Sequence, residues 1–559
     1  MSLEQKLSFE SLLKTLGDFG PYQKKIILLL CIPASFLNAW TYFDLVFMLY
    51  VPFFKSCLQW NANVSSMLAN VTDECEFEGR EIVVDNETVR LHCEKWSFEN
   101  KYFDRTVYTE WAVCKNEILF KNIMGIITVC ATIGLVIMSL IQDWLGRKCT
   151  FFICLTLSIA GSGFALLAPS LIIWIILRSI GASQNPTTYE LFFIWAEEFV
   201  GPQKRTLVTF LMALFYASAT VTVGLVAWAC RTWIQLGLAT SLPFLLLYSY
   251  YFLVDESPRW LLSVGRVEEA TAILEKIARQ NKKESELENI RNQIKIIANS
   301  SIPKPDRRLS IQSVSQYIRK VSSVSVSSTV EKIAKFQPLE LIRYSHVRTK
   351  LLFITISWTA NSLTYTTLAF NAPNMGNMYV AYIAQAAMEA PACIFNLLLS
   401  NRTGRIPPMG FAYFFSSFFS FMCIPASVGG WNGNYMIVFA ALAKFGICVT
   451  LNIMYQAASE LYPTSLRGTG IGINMFVAGF FMAVMPYILD TAEMARWIPM
   501  AILGSITFLG GVCVCFLPEP MDQAMPQTAL EAERVSKVEF RNLKINAKDL
   551  FRCHVRRAR

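Results

Sequence analysis

The amino-acid sequence predicts an all-α membrane protein of twelve transmembrane helices arranged as two six-helix bundles. Three observations predict it. Of the 559 residues, 54% are hydrophobic and only 16% are charged, a composition too apolar for an ordinary soluble protein of this length. Apolar runs long enough to cross about 30 Å of hydrocarbon, at a rise of about 1.5 Å per residue, recur along the whole chain. Lys and Arg gather in alternate short loops, as the positive-inside rule requires.

The first apolar run follows a polar segment, residues 1–25, that contains Lys14, Lys24 and Lys25. It continues past Trp40 to about Tyr50, so it reads as a retained helix and not as the short apolar region of a signal peptide. Runs at 26–50, 119–141, 150–168, 171–195, 208–228 and 235–254 form an N-terminal bundle over 26–254. Runs at 350–371, 378–400, 408–427, 435–457, 468–490 and 496–517 form a C-terminal bundle over 349–517. Arg147–Lys148, Lys204–Arg205, Arg402–Arg405 and Arg467 fall on one side. The short loops around Pro169, Asn371–Asn377 and Gly429–Asn434 carry no Lys or Arg. Both termini are therefore expected in the cytoplasm.

Two soluble segments interrupt the spans. Residues 52–117 fall outside the cell in this orientation and hold Cys57, Cys75, Cys93 and Cys114, which allow three pairings. The same segment carries N-glycosylation sequons at Asn63, Asn70 and Asn86. Thiols and sequons on the side chosen independently by charge make a disulfide-bonded, glycosylated loop and a plasma-membrane location the expectation. Asn401 also begins a sequon, but on the cytoplasmic side. Residues 255–348 form a charged cytoplasmic connector, read mainly as a solvated linker. Within it, 266–298 has helical periodicity through Val267, Ala270, Ile273, Leu274 and Ile277, and 309–328 is Ser-rich. The tail 518–559 is basic from Arg534 onward and suited to anionic lipid.

The two halves repeat their punctuation. Asp143-Trp-Leu-Gly146-Arg147 follows the second span and Asn401-Arg-Thr-Gly404-Arg405 follows the eighth. Glu198 and Arg205 follow the fourth span; Glu460 and Arg467, at the same separation of seven, follow the tenth. Parallel repeats of six helices characterise two-bundle proteins that rock about a midplane site. Charges at these helix ends can cap helix N-termini or pair with Arg of the neighbouring bundle. Asp143, Arg147, Glu198, Arg205, Arg405, Glu460 and Arg467 are accordingly the gating candidates, a purely topological role being the alternative.

These motifs resemble the major facilitator superfamily. Over nearly the whole length the chain is similar to the organic cation, anion and zwitterion transporters, solute carrier family 22. The resemblance rests on Phe19-Gly20-Pro-Tyr-Gln23, Thr109-Glu110-Trp111-Ala-Val-Cys114, Glu197-Glu198-Phe-Val-Gly201, Asp255-Glu256-Ser257-Pro258-Arg259-Trp260 and Glu460-Leu-Tyr-Pro463-Thr-Ser-Leu-Arg467. The Cys-rich loop after the first helix distinguishes this family from the similar sugar porters. Three departures stand out. Asn401 replaces an Asp, Ser139 replaces a Gly, and Gly479 occupies the helix-11 position where cation-transporting relatives carry Asp and anion-transporting relatives Arg.

Ionisable residues inside spans are costly and mark candidate sites. Glu389 resembles the acidic residue of cation-transporting relatives, Lys444 falls where the family commonly has a base, and Arg178 also matches a family position. Asp44 and Glu190 complete the intramembrane charges, as gate residues or as hydrogen-bonded structural groups. Glu389 can hold an ammonium and Lys444 a carboxylate, or the two can satisfy each other. Tyr189, Trp358 and Tyr365 match aromatic positions and Asn452 a polar one; a cation over such a ring gains about 0.5–2 kcal/mol. The resemblance thus implies alternating-access transport of a small organic cation or zwitterion, an amine, carnitine-like compound or amino-acid derivative. An organic anion transporter is the alternative, and a non-transporting sensor the alternative from another class.

Several classes are excluded. The basic residues behind the net charge of +9 lie between spans and form no patch for nucleic acid. No Walker A sequence, metal-spacing cluster or nucleophile elbow appears, so no cofactor, metal or enzymatic activity is expected. His92, His346 and His554 all lie outside the spans, which disfavours a histidine proton relay. Whether an ion is co-transported stays open.

Overall fold

A polypeptide surrounded by hydrocarbon must satisfy its backbone polar groups within the segment, so the apolar runs form helices. The computed structural model describes residues 12–13, 16–17, 19–60, 81–84, 87–90, 93–99, 102–114, 117–288, 291–294, 343–431, 434–462, 467–520 and 533. Asn63, Asn70, Asn86, Cys75, the Ser-rich run and the tail from Arg534 lie outside these residues, as do the side chains of Asp143 and Asn401.

The spans of the first half run Pro21–Met48, Glu117–Leu145, Arg147–Ala165, Leu171–Ala182 with Asn185–Glu197, Pro202–Ala229, and Trp233–Ser241 with Leu242–Ser249. Those of the second half run Ser345–Phe370, Met378–Ala387 with Glu389–Thr403, Ile406–Val428, Asn434–Leu461, Arg467–Met482 with Met485–Asp490, and Ile498–Cys515. Among the described residues, nine helices are long and apolar enough to cross a membrane, ten if the bent eleventh span is counted as one. The fourth span is broken into helices of 12 and 13 residues, each too short by itself, and both it and the seventh carry polar inner faces. The fourth buries Arg178, Asn185, Thr187 and Thr188; the seventh buries Lys350, Asn361, Thr364 and Thr367.

Proline explains the broken spans. A helical Pro lacks an N–H and presses on the carbonyl four residues earlier, opening the helix there. Pro186 stands at the restart of the fourth span and Pro486 at that of the eleventh. In the eighth span Pro391 faces the carbonyl of Ala387, and the helix restarts at Glu389.

The two halves meet along two seams. The second span packs against both segments of the eleventh, and the fifth against both segments of the eighth. Along the first seam a Cβ on Gly479 would lie 2.3 Å from Thr132 Oγ1, so any side chain there requires Thr132 to move. We call the end that carries Arg147, Lys204 and Arg405 the basic-loop face, and the opposite end the ribbon face.

The ribbon face takes its name from four short strands. β1 (Phe53–Trp60) pairs antiparallel with β4 (Cys93–Glu99), and β2 (Glu81–Val84) with β3 (Glu87–Arg90). Of the three pairings the sequence allows, the structure contains Cys57–Cys93, and Cys114 is also disulfide-bonded. The ribbons lie in the Cys-rich segment between the first and second spans, outside the helical bundles. The connector contains the amphipathic helix that its periodicity predicts. Its helix Val267–Gln280 buries Ala270, Leu274 and Ile277 in the same apolar cluster as Leu16 and Tyr22, so this stretch is docked and not a solvated linker. Asn281 fastens it, donating to Leu16 O at 2.9 Å and Gln23 Oε1 at 2.8 Å.

Candidate functional site

Glu389 opens the second segment of the eighth span, in the first turn of that helix. The free backbone N–H groups of a helix start favour negative charge there, which offsets part of the cost of burying a carboxylate. Its side chain collects partners from both halves. Tyr365 Oη, from the seventh span, donates to Glu389 Oε1 at 2.6 Å. Thr220 Oγ1, from the fifth span in the other half, donates to Oε2 at 3.3 Å. Lys444 Nζ, from the tenth span, stands 3.7 Å from Oε1.

Lys444 is held by more than this ion pair. Its ammonium donates to Tyr365 O at 2.9 Å and lies 3.1 Å from the centroid of the Tyr365 ring. Glu389 is 6% exposed and Lys444 2%, so each charge would be very costly alone and the pair is close to neutral together. Of the alternatives left open by the sequence, the structure contains the mutual pairing of the two charges. The two residues satisfy each other, yet the carboxylate keeps acceptor capacity on the side that faces a cavity.

That cavity has a volume of about 10 Å³ and is lined by Phe43, Thr220, Tyr382, Gln385, Glu389 and Lys444, with Ala369 and Ala386. It has room for about one water molecule beside the charged pair. Edge-to-face rings seal it: Phe43 lies 6.4 Å from Tyr365 and 6.1 Å from Tyr382. Phe43, Thr220, Tyr382 and Gln385 were not singled out by the sequence. For Tyr382 and Gln385 a signal was available, their helical spacing before Glu389; for Phe43 and Thr220, on other spans, local spacing offers none.

The remaining substrate-site candidates are not in this cavity. Trp358 is buried edge-on against Tyr455, ring centroids 4.6 Å apart, two turns from Tyr365 toward the basic-loop face. Asn452 donates to Cys448 O at 3.1 Å and approaches Cys393 Sγ at 3.7 Å. Tyr189 packs against Tyr216 at 5.3 Å. Of the other intramembrane charges, Arg178 and Asp44 pair with each other at 2.6 Å inside the first half. Thr240 donates to the second oxygen of Asp44 at 3.1 Å. This buried group ties the first, fourth and sixth spans together and does not face the cavity. Glu190 is half-buried and interacts electrostatically with Tyr455.

At the basic-loop face the repeat appears as one arrangement made twice. Gly146 and Gly404 adopt φ of +93° and +92°, the left-handed region that glycine enters without strain. The Arg that follows each turns back to a Glu of its own half: Arg147 to Glu198 at 3.1 Å, Arg405 to Glu460 at 3.0 Å. These two pairs each lie within one half, whereas capping a helix or pairing with the neighbouring bundle were the roles open to Glu198 and Glu460. The helix starts are in turn capped by a second carboxylate. Arg147 N and Lys148 N donate to Glu256 at 3.1 Å, while Arg405 N and Ile406 N donate to Glu519 at 2.8 and 2.9 Å. Burial raises the Glu256 carboxyl above its ordinary range, and the donations from Ser257, Lys148 and Arg147 partly oppose this. Arg205 lies near Glu197, and Arg467 begins the eleventh span.

At the ribbon face, contacts join the halves. Lys121 pairs with Asp490 at 3.1 Å, Tyr487 Oη and Asn122 Oδ1 are 2.5 Å apart, and Tyr102 Oη donates to Gly376 O at 3.1 Å.

The chain matches known proteins over this same architecture. The profile of the family described as "Sugar (and other) transporter" matches residues 94–525. The chain is 28% identical to the organic cation transporter protein of Drosophila melanogaster, over 95% of each chain. It is 25% identical to the carcinine transporter of the same organism, over 96% of this chain and 80% of that one. The xylose transporter XylE of E. coli, in its inward-open conformation, superposes with a TM-score of 0.58 at 14% identity, over 91% of this chain and 99% of that one. A family match from the Cys-rich segment to the end of the twelfth span leads to one conclusion, and the xylose transporter's fold agrees with it: the chain is a multi-pass membrane protein of the sugar (and other) transporter family.

Proposed function

We propose that this transporter carries small organic cations or zwitterions by alternating access, with Glu389 as the counter-charge for the substrate's ammonium. One observation carries the reading. A buried carboxylate sits where the halves meet, bonded to Thr220 of the first half and to Tyr365 of the second. Rocking of the halves necessarily remakes that environment, which couples substrate charge to conformation. The organic cation and carcinine transporters among its relatives support the same substrate class.

Lys444 weighs against an anion as the preferred cargo, because its ammonium is already engaged by Tyr365 and balanced by Glu389. In this reading the basic-loop face is cytoplasmic, as the loop charges require. The ribbon face, with its disulfide-bonded loop, is then outside the plasma membrane. Arg147–Glu198 and Arg405–Glu460 brace the inner ends of the two bundles, and flux follows the substrate gradient and membrane potential.

The test is radiolabelled uptake in cells expressing the chain, comparing a simple organic cation, β-alanine and an organic anion. Cation or zwitterion uptake should fall roughly 10- to 100-fold in a surface-expressed Glu389→Gln variant, the cost of losing a charged hydrogen bond. Anion uptake that survives the substitution contradicts the assignment.

A further inference from the structure

Gln385 and Tyr382 precede Glu389 by four and seven residues, which places all three on one face of the eighth span. Both line the central cavity. Both are almost completely enclosed, Tyr382 at 2% exposure and Gln385 at 1%. Yet the Tyr382 hydroxyl and Gln385 Oε1 have no hydrogen-bond partner among the described residues. An unmade hydrogen bond is costly once water is excluded, and of the buried polar atoms without a partner among the described residues, these two belong to the cavity lining. Packing alone does not explain them. The Tyr382 ring is fixed edge-on by Phe47 at 5.0 Å and by Phe43, and by the fifth span, where a Cβ on Gly224 would lie 2.9 Å from it. Among the described residues Gln385 Nε2 reaches only Met375 Sδ at 3.6 Å, a weak acceptor.

The unsatisfied pair has a definite chemistry: one hydroxyl that donates and one amide oxygen that accepts. We infer that Tyr382 and Gln385 form a second polar subsite for an amine that also bears a neutral hydrogen-bonding group, such as an amide, alcohol or imidazole. A group of that kind offers an acceptor to Tyr382 and a donor to Gln385 together, whereas a carboxylate offers acceptors alone. The substrate's ammonium would lie at Glu389 and its neutral group about one helical turn, roughly 6 Å, toward the ribbon face. The inference rests on the proposed role of Glu389 and adds to it a determinant of selectivity among amines. A site built to hydrogen-bond a substrate rejects the analogue that lacks the group more strongly than an apolar pocket rejects an extra methylene.

Three compounds of nearly equal shape separate the possibilities: β-alaninamide, its apolar analogue isoamylamine, and β-alanine. Uptake of each is measured by mass spectrometry in cells expressing the full chain, as wild type, Tyr382→Phe and Gln385→Leu, normalised to surface protein. Wild type should favour β-alaninamide over isoamylamine, and that preference should fall roughly five- to tenfold in each variant, the contribution of one hydrogen bond. Tyr382→Phe keeps the ring packing and guards against a folding defect in the other variant. A preference ratio that stays at the wild-type value in both surface-expressed variants overturns the subsite. So does a preference for β-alanine over β-alaninamide, which would assign recognition to Lys444. If wild-type protein at the surface takes up none of the three, the proposed function itself fails and the subsite fails with it.

Discussion

Glu389 and Lys444 depend on each other as buried charges. Each is enclosed, and each loses its compensation if the other is removed. Breaking a buried pair from one side typically costs about 3–5 kcal/mol, whereas replacing both partners with apolar groups is far milder. Lys444→Met should therefore lower the folded, surface-expressed fraction and the melting temperature in detergent. The double variant Glu389→Met/Lys444→Met should recover both without recovering transport. A Lys444→Met protein as stable as wild type would show that the pair does not carry the burial of Glu389. Most of this residue-scale chemistry was legible beforehand, because charges in apolar runs are conspicuous. Less legible was that Asp44 and Arg178 cancel in a group of their own with Thr240. Their positions lie far apart in the chain, and nothing in local spacing specifies the pairing.

Helix-to-helix approach sets the behaviour of the seams. Gly479 stands where a relative's charged side chain would be expected, yet the structure gives the position a packing role as well. Its missing Cβ is what lets the eleventh span touch Thr132 of the second. Gly479→Ala should force these helices apart at a cost of about 1–3 kcal/mol and hinder closure at the ribbon face. Uptake should drop by about tenfold for 1.4 kcal/mol, with partial recovery on adding Thr132→Ala. Equal loss with and without the second substitution would rule out this contact as the cause. The ion pair of Lys121 with Asp490 contributes less to closure, being largely exposed. The spans themselves were foreseen to within a few residues, since apolar length is a strong signal. The break at Met388 was not, although Pro391 announces it. The break turns Glu389 from a mid-helix residue into the first residue of a helix.

Across the whole molecule, one six-helix design is used twice, and the second copy completes what the first only hints at. Glu256 caps the helix start after Gly146, and Glu519 caps the one after Gly404. The sequence shows Glu256 in a recognisable motif, but Glu519 hides in a three-residue Pro518-Glu519-Pro520 and becomes visible only through its hydrogen bonds. The aromatic candidates Trp358 and Tyr189 illustrate the opposite limit. Their residue type is right, but a chain with forty Phe, thirteen Trp and twenty Tyr offers too many rings for type alone to choose those at the cavity. In the proposed function, conformation and substrate charge converge on Glu389, which is bonded to both halves. The most direct measurement is counterflow by purified protein in proteoliposomes loaded with unlabelled amine, for wild type and Glu389→Gln. Wild type should accumulate labelled amine and the variant none. Equal accumulation by both, or ligand binding by wild type without any flux, would contradict the proposed function.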